Sequence, residues 1–153
     1  MISTFLNYFE YIFWFILVFT IIVFIHELGH YIVARINNVD IEKFSIGFGP
    51  VLFSKTDKNN TKWQIGIIPL GGYVKFCGEM YSEKKNQADS KNNNLFMNKK
   101  SLQKASIVFA GPFANFLLSF LLFIFIFLFF GRNETPNILG YIDKNSPAEL
   151  NNL

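Results

Sequence analysis

The sequence predicts an α-helical polytopic membrane protein in which two transmembrane helices flank a β-rich cytoplasmic segment. Three observations carry that prediction. No Asp, Glu, Lys or Arg stands between Tyr11 and Ile25, and none between Ala105 and Gly131; an uncharged apolar stretch of about 18 residues or more reads as a membrane span. Charged residues make up 16% of the 153, against about 25% in an average soluble domain, and 20 Phe are more than one small core can use. Between Tyr31 and Lys104 there are 12 Lys and Arg against 6 Asp and Glu, whereas residues 1–30 hold no Lys or Arg and residues 131–153 hold only Arg132 and Lys144. That asymmetry is the positive-inside pattern: it puts residues 37–104 in the cytoplasm and both termini outside. The same composition excludes a disordered chain, a collagen-like repeat and a disulfide scaffold, since Cys77 is the single cysteine. The net charge of +3 suits a loop attracted to anionic lipid. No nucleic-acid-reading motif accompanies it, so no nucleic-acid partner is expected.

The first span runs from Phe5 through Ile25 into His26-Glu27-Leu28-Gly29-His30, and its helical pattern continues to Ile36. Asn37-Asn38 is a stop signal. Thirty-two residues of helix are about 48 Å long, against about 30 Å of hydrocarbon. The two histidines therefore lie at the cytoplasmic edge of the bilayer core, or within it and enclosed by protein. The N-terminus has no basic region and no small-residue cleavage site, so the span reads as retained. Residues 39–53 alternate and carry glycines and β-formers, which predicts short strands with a turn at Gly47–Pro50. Thr56–Thr61 is a polar turn. Trp63–Phe76 reads as two strands joined at Pro69-Leu70-Gly71-Gly72. This stretch is too short to span as a helix and very apolar for a cytoplasmic loop, which fits a re-entrant hairpin packed against protein. Residues 80–100 form a polar linker. The second span covers residues 105–131. Its Gly111-Pro112-Phe113-Ala114-Asn115 breaks one backbone hydrogen bond, allows close helix contact and puts an amide where a protein or cavity neighbour is expected.

His26-Glu27-Leu28-Gly29-His30 carries the chemistry. On a helix, His at i and i+4 project from one face and can share a tetrahedral Zn²⁺. Glu27 points beside the pair, where a carboxylate can take a proton from zinc-activated water and pass it to a leaving amine. HExxH arises by chance in roughly one chain of this size in a few hundred. Here it contains both histidines of the protein, and it falls where an unpaired polar group is costly. Catalytic zinc usually has a third protein ligand. Cys77 is a candidate, although a small buried residue is its commoner role. Asp40, Glu42 and Glu79 are loop carboxylates that read as solvated.

HELGH closing a first span is followed by Phe44-Ser45-Ile46-Gly47-Phe48-Gly49 and by Ile68-Pro69-Leu70-Gly71-Gly72-Tyr73-Val74-Lys75. Ala110-Gly111-Pro112-Phe113-Ala114-Asn115 then opens a second span. This order over nearly the whole chain resembles the site-2 protease family of intramembrane zinc metalloproteases, in particular its bacterial regulator-of-sigma-E branch. The resemblance implies a bacterial inner-membrane enzyme that hydrolyses peptide bonds of transmembrane substrates, such as an anti-sigma factor or a signal-peptide remnant. It implies Zn²⁺ on His26 and His30, and Glu27 as the base. It implies a substrate strand held along the re-entrant hairpin at Ile67, Gly71, Gly72 and Tyr73, with Gly111, Pro112 and Asn115 packing the second span near the zinc helix. Residues 132–153, with Ile138-Leu139-Gly140-Tyr141-Ile142 and Asn145-Ser146-Pro147-Ala148-Glu149-Leu150, resemble the start of a periplasmic PDZ domain. The family's third ligand is an Asp in a later span. The 153 residues are thus expected to be the N-terminal portion of such an enzyme, with a C-terminal segment as the partner that completes the site. The alternative is a non-catalytic membrane remnant that binds zinc or membrane partners without turnover.

Overall fold

The structure, a computed structural model, describes residues 2–78 and 93–131, with Lys144 and Pro147 beyond them. Glu79, most of the polar linker and the PDZ-like segment (except those two residues) lie outside the described residues. Helix α1 runs Ile2–Ile36 and helix α2 runs Ser101–Phe130. Both are long and apolar enough to cross a membrane. Between them lie the strands β1, Ile41–Thr56, and β2, Lys62–Phe76. α1 stops where the asparagine pair predicts. Asn38 adopts φ 54°, its N–H donates to the Arg35 carbonyl at 2.9 Å, and the Val39 N–H donates to the Ala34 carbonyl at 2.9 Å. This is a Schellman end, which satisfies carbonyls that the helix leaves open.

β1 and β2 pair as an antiparallel hairpin. Where the sequence suggests a turn at Gly47–Pro50 and another at Pro69–Gly72, the strands instead bend and run on. Each therefore contributes two arms. Along residues 43–46 the partners fall from Lys75 to Gly72 on one side and rise from Lys62 to Ile65 on the other. Residues 51–56 pair back onto residues 62–66. One β1 arm thus has an antiparallel neighbour and a neighbour running parallel to it, with residues 72–74 and 51–56 at the borders. The bend needs glycine at Gly47, where φ is +81° and a Cβ would stand 2.7 Å from the Ile68 carbonyl oxygen. No branched residue fits there.

The sheet docks on α1 through aromatic rings. Phe44 is fully buried. It stacks on Trp63 with centroids 4.3 Å apart, and Tyr31 meets both edge-on at 5.8 and 5.0 Å. Such pairs add about 0.5–1.5 kcal/mol each to the burial of their area. A second cluster, Ala34, Val39, Ile41, Phe76 and Ile107, closes the space between helix ends and strand ends. At the far end of the hairpin Phe48, Leu52, Phe53, Ile67 and Leu70 are exposed. The linker is more ordered than its composition suggests at its end. The Asp40 N–H donates to the Asn94 carbonyl, and Phe96–Asn98 forms a short 3₁₀ turn.

The polar turn predicted at Thr56–Thr61 is a latch. Asp57 Oδ1 accepts from the N–H groups of Asn59 at 2.8 Å and Thr61 at 3.0 Å. Its Oδ2 accepts from Tyr31 Oη at 3.2 Å and Trp63 Nε1 at 3.1 Å. Arg35 donates to the Asn59 carbonyl and to Thr61 Oγ1. Burial alone would raise the Asp57 pKa. The donors at Trp63, Thr61, Asn59 and Tyr31 outweigh it and hold the carboxyl below its ordinary range.

Candidate metal centre

His26 and His30 lie one helical turn apart on α1, and their Nε2 atoms converge to 3.2 Å. Two ligands of one tetrahedral zinc, at bonds of about 2.0–2.1 Å, have nitrogens about 3.3 Å apart. The pair already has that span. The remaining ring nitrogens are tied to α2. His30 Nδ1 donates to the Ile107 carbonyl at 2.7 Å, and Asn115 Nδ2 lies 3.2 Å from His26 Nδ1. Ligating histidines characteristically donate their second N–H to an acceptor that fixes the orientation of the ring, as His30 does to Ile107.

Glycine makes room for this arrangement. A Cβ on Gly111 would collide with His30 Nε2 and stand 2.7 Å from His26 Nε2, so the absent side chain leaves space beside both nitrogens. On the other helix, a Cβ on Gly29 would run into the Ala110 carbonyl and stand 2.8 Å from Ala114 Cβ. The helices cross at small residues because only these allow such an approach. Pro112 lies within α2, where it lacks the N–H that a helix would offer to the Val108 carbonyl. These features fit a metal ion held between α1 and α2.

Glu27 faces β2. A Cβ on Gly72 would come within 2.9 Å of Glu27 Cγ and 3.0 Å of Val23 Cγ1, so the strand backbone lies directly against the acid. A cavity of about 250 Å³ opens here, lined by Glu27, His30, Gly72, Tyr73, Val74, Phe76, Ile107 and Val108. Of the residues expected to hold substrate, Gly72 and Tyr73 line this cavity. Gly71 sits at the bend with φ +137°, against the Phe48 ring. Ile67 is 53% exposed and lies outside the lining. A larger cavity of about 460 Å³, between Arg35, Asp40, Asn59 and Lys99, reaches neither histidine.

No third His, Cys, Asp or Glu joins the pair in a metal-binding group among the described residues. Cys77, Asp40 and Glu42 therefore do not complete the site. The Cys77 N–H is spent on the Asp40 carbonyl. Its thiol pKa is pushed up by burial and by the carboxylates of Asp40 and Glu42, which outweigh Arg35 and Lys75. A thiol so placed stays protonated and is a poor ligand. Sequence reasoning missed the contacts of Ile107 with His30 and of Gly72 with Glu27. The first involves a backbone carbonyl, and neither follows from the spacing along one chain.

The family model for peptidase family M50 matches residues 14–151. The chain belongs to peptidase family M50. A protein of Rickettsia conorii named "Putative zinc metalloprotease" is 44% identical over 139 residues, covering 91% of this chain and 39% of that one. A protein of Rhizobium meliloti with the same description is 38% identical over 142 residues, covering 88% and 38%. Metalloprotease MmpA of Caulobacter vibrioides is 40% identical over 146 residues, covering 86% and 37%. The chain thus spans under two-fifths of the length of these M50 relatives.

Proposed function

We propose that these residues form the zinc helix and substrate hairpin of an intramembrane zinc metalloendopeptidase of the site-2 type. Membership of family M50 supports the reaction class. The observation that carries the reading is the convergence of His26 Nε2 and His30 Nε2 to 3.2 Å, beside a cavity that Glu27 shares with β2. His26 and His30 hold the metal. Zinc, when bound, supplies a Lewis acid that makes water nucleophilic at neutral pH. The Glu27 carboxylate takes a proton from the attacking water and delivers it to the departing amine nitrogen. The substrate is a transmembrane segment of another protein, an anti-sigma factor or signal-peptide remnant being examples. It unwinds and adds as a strand along residues 72–74, a sheet border with one strand neighbour in the register. Main-chain bonds from that border replace those lost by an unwound helix, which lipid cannot supply. The third ligand comes from a downstream segment, an Asp in the family's pattern. Tyr73, placed by stacking on Phe48 and by its hydroxyl accepting from Gln64 Nε2 at 3.0 Å, borders the strand's path.

The second reading is zinc binding without turnover. It draws on the lack of a third ligand among the described residues. The two separate in a cleavage assay on a helical membrane substrate. The 153 residues alone should be inactive, and a downstream segment carrying the Asp, fused or in trans, should bring activity. Inactivity of the completed protein with zinc bound favours the remnant. The family resemblance supports a bacterial inner membrane, and the Lys and Arg asymmetry supports a cytoplasmic side for residues 37–104. Lys58→Cys and Asn137→Cys should label from opposite sides. Labelling of both from one side defeats that topology.

A further inference from the structure

The hydrogen-bond network of the histidine pair closes on itself without a metal, and ligation requires one change in it, at His26. The Ile107 carbonyl can only accept, so His30 Nδ1 carries its hydrogen, and the neutral ring has a bare Nε2. His26 Nε2 stands 3.2 Å from that bare nitrogen. Without a metal between them two bare nitrogens at this distance repel, so in the metal-free pair a hydrogen lies there and belongs to His26 Nε2. His26 Nδ1 is then bare, which suits the NH₂ group of Asn115 that faces it at 3.2 Å. A chain of donors thus runs from Asn115 to His26, to His30, to Ile107.

Metal ligation requires both Nε2 atoms bare. The His26 hydrogen must then move to Nδ1, where the Asn115 NH₂ would oppose it, donor against donor. The other end of the same carboxamide resolves this. Asn115 Oδ1 is buried and has no hydrogen-bond partner, so nothing tethers it. A half-turn of the amide breaks one hydrogen bond and makes another, with Oδ1 accepting from His26 Nδ1–H. We propose that Asn115 is the positioning residue of His26, its carboxamide turning from donor to acceptor as the metal binds and so fixing the imidazole in the ligating tautomer. The proposal rests on the zinc reading above and extends it to a residue that touches neither metal nor substrate.

The test is zinc titration of the full chain in detergent micelles against a competing chelator, with ¹⁵N-labelled histidine to read the tautomers. Asn115→Leu keeps the volume and removes both functions; it should weaken zinc binding by about 10–100-fold, the usual loss for such a partner. Asn115→Asp accepts only and should bind zinc at least as tightly as the wild type. Metal-free wild type should show His26 with its hydrogen on Nε2, zinc-loaded wild type on Nδ1, and metal-free Asn115→Asp already on Nδ1. A merely structural role would weaken both variants alike and leave the tautomers unmoved. Asn115→Leu binding within about twofold of the wild type, Asn115→Asp binding as poorly as Asn115→Leu, or metal-free wild-type His26 already protonated on Nδ1 would each overturn the proposal. A wild-type chain that takes up no zinc overturns the zinc reading beneath it, whereas one that binds zinc indifferently to residue 115 overturns this proposal alone.

Discussion

The two halves of α2 share a helical backbone and an uncharged sequence, yet do different work. From Ile107 to Asn115 the helix presents a carbonyl to His30, a missing side chain to both imidazoles and an amide to His26. From Leu122 to Phe130 every side chain is apolar and exposed. α1 divides in the same way: Tyr8–Phe15 is exposed, whereas Ile25–His30 is partly buried around the site. In a hydrocarbon solvent apolarity cannot tell a lipid face from a protein face. What separates the halves is the placement of small and polar residues, which are costly in lipid unless a neighbour uses them. The site half is thus written in Gly, Ala, Pro, Asn and His, and the other half in Phe, Leu and Ile.

The sharpest way to test this difference is at Glu27. If the proposed third ligand is supplied, fused or in trans, Glu27→Gln should lower peptide cleavage by about 10²–10⁴-fold, the usual worth of a positioned base, with zinc content unchanged. His26→Ala combined with His30→Ala should remove the zinc as well. Metal analysis beside a cleavage gel reads both. Unchanged zinc in the double variant would defeat the metal site, and full activity of Glu27→Gln would defeat the role of the acid.

The next largest effect contrasts the halves directly. Gly111→Ala adds one carbon where both Nε2 atoms stand. It should weaken zinc binding by about 10–100-fold, as disturbed ligand geometry does. Phe127→Ala removes far more volume from a side chain that is exposed in the second half of α2, and should leave zinc affinity within about twofold. Equal losses in the two variants would mean that α2 acts on the site only through its overall stability.

Much of this was legible in the sequence. The two long apolar helices follow from the uncharged runs, the end of α1 from Asn37-Asn38, and the convergence of His26 and His30 from their four-residue spacing. Asn115 was legible as an amide needing a neighbour, but not as the neighbour of His26. The sheet was legible only in part. Glycines near residues 47 and 71 marked changes of direction, which the structure makes as bends. The placement of residues 43–46 between 62–65 and 72–75 depends on partners distant in sequence, and local alternation says nothing about them. Asp57 read as an ordinary turn residue because two of its four donors, Tyr31 and Trp63, come from outside the turn.

That latch gives the smallest expected effect and extends the comparison to the part of the molecule outside the spans. The candidate metal centre is built from contacts between α1 and α2, whereas Asp57 holds the hairpin turn to the end of α1. Asp57→Asn leaves one acceptor oxygen and sets an NH₂ group against two of the present donors. Trp63 Nε1–H or the Asn59 and Thr61 amides must then lose a partner. The stacked rings of Phe44 and Trp63 still hold the sheet, so the change should be local. Amide exchange at Asn59 and Thr61 should quicken about fivefold, matching a net hydrogen-bond contribution of about 1 kcal/mol. Zinc affinity should not change. The pH dependence has a definite sign. The Asp57 carboxyl is held below its ordinary range in the folded protein, so its stabilisation is complete above the unfolded carboxylate's pKa and fades as pH falls through the lower folded value. Exchange at Asn59, corrected for its intrinsic pH dependence, should therefore be flat above about pH 5 and rise only in stronger acid. In Asp57→Asn that acid rise should vanish. A latch that loosened near neutral pH, or an acid rise that persisted in Asp57→Asn, would show that another group holds the turn. A matching fall in zinc affinity would show that the turn and the metal centre are one unit.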